Sequence, residues 1–280
     1  MDYSNSYGMK KVGEVIGLAR KLLAEPRLKD VNLDSDDCVK IHRAVLLEKS
    51  MLKEVFYEFY NLCYTLDSRF FTATGERIEI GAGTSFFKQC HPEVISTDIK
   101  KAPHLDKVID AQNMNISDNS VRSIYGINCF HHFPAPELFF KELQRVLTLG
   151  GGCILIEPYY GLFAKEFFKR VFTSEHFDKK QQSWWDSSNN MSIMMGANQA
   201  LSYIVFNRDR KEFENKYPNL NIVLLRPLNN YLRYLGSGGL NFRQLLPNVL
   251  TPLLKFLEFL LIPLNRILAL HYVIVIRKEG

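Results

Sequence analysis

The sequence has no CxxC pair, no block of Lys and Arg, and no apolar run free of interruption. Its five cysteines, Cys38, Cys63, Cys90, Cys129 and Cys153, are scattered and odd in number. That pattern argues against a disulfide framework or a structural zinc site and fits a reducing cytoplasm. The formal charge is only +5, with acids and bases interspersed, so no nucleic-acid partner is expected. Residues 1–10 are polar and lack the apolar core of a secretory signal, and export is not expected. One stretch, 245–270, is strongly apolar, yet Pro247, Pro252 and Pro263 break it and Lys255, Glu258 and Arg266 charge it. A spanning helix needs roughly 20 consecutive apolar residues, so a transmembrane reading is set aside. The stretch is expected either to pack as lid helices over a sheet edge or to lie on a membrane surface. Arg243, Lys255 and Arg266 are too few to anchor it by charge.

What remains is an ordinary globular composition, 46% hydrophobic and 23% charged over 280 residues. It suits one large α/β domain with embellishments, or two small ones. Helical spacing of apolar residues predicts a helix over 12–23, ended near Pro26, and one or two more over 39–69. From Arg77 the texture changes to short apolar runs between turn residues. Strands are predicted at 77–80, 94–98, 107–109, 123–127 and 152–157. An amphipathic helix over 136–147 opens on Pro136 and is expected to stop at Gly150-Gly151-Gly152. Alternation of strands and helices implies a mostly parallel sheet with helices on both faces. Later come a helix over 162–172, a polar stretch over 179–190 holding Trp184-Trp185, and strands at 221–225 and 271–277. The resulting division is an N-terminal helical extension over 1–70 and a sheet domain over 71–280, with cap segments at about 159–218 and 228–270.

The chemistry concentrates where strands end. Glu79-Ile80-Gly81-Ala82-Gly83-Thr84-Ser85 follows the first predicted strand and precedes a predicted helix over 86–90. Glycines at such a turn let backbone approach a ligand closely. Asp98 ends the second strand, at the distance where α/β nucleotide sites set a carboxylate on ribose hydroxyls. Asp110-Ala111-Gln112-Asn113-Met114 follows the third, where an acid reaches an adenine amino group or simply forms an Asx-turn. Asn128-Cys129-Phe130-His131-His132-Phe133-Pro134 follows the fourth, and Ile156-Glu157-Pro158 ends the fifth.

In that order and at those spacings the motifs resemble the class I S-adenosylmethionine-dependent methyltransferases. The likeness covers about 77–159 and is nearest to the small-molecule, type 11-like branch with a His-His segment after strand four. Residues 234–247 are more faintly similar to methyltransferases associated with bacterial surface-glycan synthesis. The resemblance implies a Rossmann-like, seven-stranded, mostly parallel sheet. It also implies S-adenosylmethionine as cofactor, held by Glu79, Gly81, Ala82, Gly83, Asp98, Ile99, Asp110, Ala111 and Asn128. Glu79 would orient the loop or the methionine amino group, Asp98 would take the ribose hydroxyls, and Ile99 would pack on adenine. Ser85 departs from the third glycine of many relatives, a change tolerated if a helix starts there.

Methyl transfer requires alignment of nucleophile and methyl and exclusion of water. A hydroxyl acceptor gains from a general base, and His131 and His132 are the candidates; either can instead pack or cap the following helix. Glu157, Tyr159, Tyr160 and His176 are expected to be structural or to shape the substrate, and Trp184-Trp185 forms either a stacking wall or the core of the cap. No metal site is expected, because no cluster shows ligand spacing. The acceptor expected is a small molecule, a sugar or a lipid-linked glycan methylated on oxygen. The protein is expected to be cytoplasmic, with peripheral membrane contact through 245–270. A silent binding module and an NAD-dependent oxidoreductase compete with this reading. The latter is weakened because the third glycine of GxGxxG would fall at Phe86.

Overall fold

The computed structural model describes residues 17–173, 175–185 and 197–280. Of the first predicted helix, residues 17–23 are helical and 12–16 lie outside the described residues, as do Ser174 and 186–190 of the polar stretch. Seven strands form one sheet: β1 (Glu76–Ile80), β2 (Val94–Asp98), β3 (Lys107–Val108), β4 (Val121–Ile127), β5 (Leu147–Pro158), β6 (Leu220–Pro227) and β7 (His271–Lys278). Their order is β3-β2-β1-β4-β5-β7-β6. The first five run parallel, and β7 runs antiparallel to both β5 and β6. The expected mostly parallel sheet is therefore present, with a reversed strand inserted near one edge.

Side chains alternate across a strand with period two, and both faces are apolar here. Ile78, Ile80, Ile124, Cys153, Leu155, Ile274 and Ile276 face one core with Phe139, Phe140 and Leu143 of helix Pro136–Val146. Tyr125, Ile154, Ile156, Val273 and Val275 face the other, with Leu52, Val55, Phe59 and Cys63 of helix Ser50–Phe70. Burial on both sides explains why the strands read as near-continuous apolar runs. The region 39–69 resolves into two helices, Asp36–Glu48 and Ser50–Phe70, the first capped by Ser35, whose side chain accepts from the Cys38 amide. All five cysteines are free.

The glycine triplet is not a helix stop. Helix Pro136–Val146 ends before it, and Gly150, Gly151 and Gly152 lie inside β5. A Cβ on Gly152 would meet the Ile276 carbonyl at 2.2 Å and the Phe71 ring at 2.3 Å, and one on Gly151 the Arg122 carbonyl at 2.4 Å. Close approach of neighbouring backbone is the physical reason for these residues.

The apolar stretch after Leu245 forms a helix at Thr251–Leu260, a 3-10 turn at Ile262–Leu264 and a short helix at Asn265–Leu268. Among the described residues no single helix is long and apolar enough to cross a membrane, and the two halves bend by 65°. Helix Thr251–Leu260 buries only Leu254 and Glu258. It does not pack as a buried lid. The Glu258 carboxylate accepts from Arg233 Nε at 2.6 Å and the Arg233 amide at 2.8 Å. Arg233 in turn donates to Glu58 at 2.7 and 2.8 Å, and Lys255 reaches Glu54 at 2.8 Å. This network fastens the helix to Ser50–Phe70.

Removing one partner of a buried ion pair leaves the other uncompensated. Arg233→Ala should lower unfolding free energy by about 3–5 kcal/mol, read from a urea transition. Arg233→Met combined with Glu258→Leu should recover most of that loss. A single variant as stable as wild type would show that the network contributes nothing.

Candidate active site

In an open α/β sheet, ligands bind beyond the carboxyl ends of the strands where the order reverses. Here that point lies between β1 and β4, paired from Glu76↔Val121 to Ile80↔Gly126. Gly81 leaves β1 with φ +62°, and a Cβ there would sit 2.5 Å from Cys129 Cβ. Gly83 donates its N–H to Asp98 Oδ2 at 2.9 Å, and a Cβ on it would lie 3.3 Å from that oxygen. The glycine loop is thus folded against both neighbouring strand ends, with Ala82 N–H donating to the Thr97 carbonyl at 2.9 Å.

Ser85 takes a definite job in place of glycine. Its hydroxyl accepts from the Phe87 amide and bonds Tyr60, both at 3.0 Å, so it starts the short helix Phe87–Cys90. Phe86 is buried edge-on against Tyr60, with ring centroids 4.8 Å apart, so a bulky ring stands where a dinucleotide fingerprint wants close helix–strand packing.

The other predicted cofactor residues line the same strand ends. Asp98 also accepts from the Lys100 amide at 2.9 Å, which leaves lone pairs free for a ligand. Ile99 is 47% exposed. Asp110 accepts from the Gln112 amide at 2.8 Å, an Asx-turn, and Ala111 is buried beside it. Asn128 adopts φ +51°, and its Oδ1 is buried without a partner among the described residues. Glu79 is 2% exposed, and its Oε2 likewise has none. Burial raises the Glu79 pKa to about 8, with Asp98 adding to the rise and Ser85 and Arg43 opposing it. Helix Asp36–Glu48, which the sequence reading did not connect to the site, closes this side. Arg43 donates to the carbonyls of Thr84 and Ser85, and Lys100 bonds the Asp34 carbonyl.

After β4 a 3-10 turn, Phe130–His132, carries the two histidines. Glu157, wholly buried at the end of β5, accepts from the amides of Cys129 at 3.0 Å, Phe130 at 2.9 Å and His131 at 3.3 Å. Its Oε2 also accepts a hydrogen bond from His131 Nδ1 at 2.6 Å, while His131 Nε2 lies 3.2 Å from Glu175 Oε2. Burial disfavours charge on this imidazole, but Glu157 and Glu175 outweigh it and lift the His131 pKa to about 10. The raised pKa and the engagement of both ring nitrogens disfavour His131 as a general base; His132, half-buried with its ring centroid 4.2 Å away, is the other candidate.

Of the remaining candidates, Tyr159 is buried, and Tyr160 accepts from Asn207 Nδ2 at 2.9 Å. His176 is exposed and contributes its backbone, pairing with Asn198. Trp184 is core, its indole donating to Asp209 at 3.0 Å, so the pair is not a stacking wall; Trp185 is exposed. Glu175 escaped the sequence reading, which attended to its neighbour His176, and only the fold brings it to His131.

The fold and this geometry fit a methyltransferase domain that uses S-adenosylmethionine. The Gly81–Gly83 cradle, which a Cβ would fill, and the unpartnered Glu79 and Asn128 oxygens fit such a cofactor. Residues 79–155 match the family described as "Methyltransferase domain". No curated protein matches the chain. Among solved structures it is similar to a Streptomyces coelicolor geranyl diphosphate C-methyltransferase bound to S-adenosyl-L-homocysteine, at 11% identity and TM-score 0.47 over 85% of this chain and 84% of that one. It is also similar to Haemonchus contortus phosphoethanolamine N-methyltransferase 2, at 11% identity and TM-score 0.45 over 90% of this chain and 59% of that one.

A group whose folded pKa is raised from 6.5 to about 10 binds its proton more tightly when folded. The stability from charged His131 should be complete below about pH 6.5 and decline as pH rises toward about 10. Thermal melts across that window should fall in the wild type and flatten in His131→Gln. Equal slopes would show that His131 does not carry this charge.

Proposed function

We propose that this methyltransferase acts on a hydroxyl of a saccharide carried by a lipid, taken from a membrane surface. The observation that carries the proposal is an apolar platform continuous with an apolar cavity. Val249 is 80% exposed, Phe259 65% and Phe256 57%, and Leu253, Leu260, Ile262 and Ile267 add to the same exposed stretch. Monomeric soluble proteins rarely show contiguous apolar patches of that kind without a partner for them. At its edge Leu245 enters a cavity of about 230 Å³, lined also by Leu23, Phe167, Phe172, Tyr234 and Phe242. Tyr234 of that lining has its ring 4.7 Å from His271; burial raises its pKa, and the Glu175 carboxylate adds to the rise. An acyl or prenyl chain in the cavity would leave its polar head at the Glu175–His131 end.

In this reading the two halves of the site divide the work. Glu79 receives the ammonium of the methionine part, Asp98 the ribose hydroxyls, and Asp110 with Ala111 the adenine edge, while Ile99 covers its face. Asn128 and Gly81 line the meeting point of cofactor and acceptor. The bound cofactor supplies an electrophilic methyl on a sulfonium. His132 takes the proton from the acceptor hydroxyl, and the apolar walls exclude water, which would otherwise compete for the methyl.

Cofactor titration tests the first half. Asp98→Ala should weaken S-adenosylhomocysteine binding by about 1–3 kcal/mol through lost hydrogen bonds. Because Glu79 titrates near 8 when free, it must shed its proton to receive an ammonium. Wild-type affinity should rise with pH up to about 8 and then level, with a proton released, and Glu79→Gln should lose that dependence. Unchanged affinity in Asp98→Ala would remove it from the site.

The acceptor half is tested with radiolabelled S-adenosylmethionine and matched acceptors, a polyprenyl-phosphate-linked saccharide in vesicles and the same saccharide free. Label should enter the lipid-linked form as a methyl ether. Phe256→Asp with Phe259→Asp should abolish vesicle co-sedimentation while leaving S-adenosylhomocysteine binding intact. Equal rates on both acceptors would refute lipid presentation; cofactor binding without transfer to any acceptor would favour a silent module.

A further inference from the structure

The side chains of His131, His132 and Glu175 offer one ligand atom each, all within 4.8 Å of one another. We propose that these three residues bind a first-row divalent metal ion of the zinc type, with one coordination position left open. The ligand geometry stands by itself; only the ion's use in catalysis rests on the methyl-transfer reading.

Three observations carry the proposal. The first is orientation. Glu157, fixed by the amides of Cys129, Phe130 and His131, accepts a hydrogen bond from His131 Nδ1 at 2.6 Å. That is the carboxylate–histidine arrangement that sets the tautomer of a metal-ligating imidazole and aims its Nε2 at the ion. The second is spacing. His131 Nε2 and Glu175 Oε2 are 3.2 Å apart. Two ligands roughly 2.0–2.1 Å from a zinc ion stand about 3.3–3.4 Å apart in tetrahedral coordination, so the ion fits between them with little movement. His132, half-buried at the end of the 3-10 turn, closes the third side by a rotation of its side chain.

The third observation is charge. The side chains of His131 and Glu175 are 4% and 9% exposed, and that of Glu157 is wholly buried. Two carboxylates and one imidazolium sum to a net negative charge in a place with little solvent to screen it. A divalent ion in place of the Nε2 proton brings the three groups to neutrality.

Two imidazoles and one carboxylate select a borderline metal over magnesium or calcium, which prefer all-oxygen sites. Three protein ligands leave a position free, as in catalytic zinc sites. With the ion bound, His132 acts as ligand; without it, as base.

The full chain, stripped with a chelator, is titrated with Zn²⁺ by calorimetry in two buffers of different ionisation enthalpy, and with Co²⁺ by visible absorption. One ion per chain should bind, with about one proton released as Nε2 gives up its hydrogen. His132→Ala and Glu175→Gln should each weaken Zn²⁺ binding by at least 10-fold. Glu157→Gln should weaken it about 10–100-fold by loosening the His131 ring. S-adenosylhomocysteine affinity, measured on each variant, reports that the protein is folded. No stoichiometric binding, or unchanged affinity in folded His132→Ala and Glu175→Gln, overturns the proposal. Because no acceptor is present, that failure would leave the methyl-transfer reading standing, and failure of methyl transfer would leave the titration intact.

Discussion

The Glu157 carboxylate governs the acceptor side of the site. It ends β5 with no exposed surface, in register with Tyr272 of β7. Three successive amides and one imidazole converge on it. Backbone donors at a tight turn have few intrinsic partners, and an ionised acceptor makes roughly the strongest bonds open to them. The turn after β4 is therefore held to the sheet from below. Asn128, at φ +51°, enters that turn through a conformation that costs energy for a non-glycine residue and persists only where its surroundings over-determine it. Its amide bond to the Ile156 carbonyl at 2.8 Å and the Glu157 anchor supply that constraint.

Two buried glutamates, one at the end of β1 and one at the end of β5, have opposite circumstances. Glu157 is surrounded by donors. Glu79 has an oxygen without any among the described residues, and burial pushes its pKa to about 8. For Glu79 desolvation is the largest cause. The contrast separates a carboxylate that completes the protein from one that waits for a cation. On the glycine-loop side Arg43 only partly offsets the burial of Glu79, whereas Glu157 has the His131 ring directly on it.

Much of this was legible in the sequence, and the exceptions share a cause. Val94–Asp98 was read to the residue, and the glycine loop, Asp98 and the β4 turn follow from local patterns that survive without tertiary context. Gly150–Gly152 was misread because a glycine run after a helix looks like a stop; what it satisfies is the pressure of Phe71, Arg122 and Ile276 from elsewhere in the chain. Glu175 and the Arg233–Glu258 pair carry no local signature, since the partners lie 44 and 25 residues away. His131 looked like a base by position. Its two carboxylate neighbours, which the primary structure does not place beside it, argue against that role.

The apolar helices pose a choice that geometry decides under the proposed membrane reading. Asn248–Leu260 rises about 20 Å and Ile262–Leu268 about 10 Å at roughly 1.5 Å per residue. With 65° between them, standing the first upright lets the second add only about 4 Å, short of a hydrocarbon core about 30 Å thick. Standing it upright would also take the buried Glu258 and Arg233 away from Glu58, leaving charges unpaired in lipid at a cost of several kcal/mol. Lying flat avoids both penalties. Leu254 and Glu258, one turn apart, keep their contacts with the body, while Leu253, Phe256, Phe259 and Leu260 face outward into the acyl boundary. The ion network then has a function besides stability: it fixes the height of the cavity mouth at Leu245 relative to the bilayer.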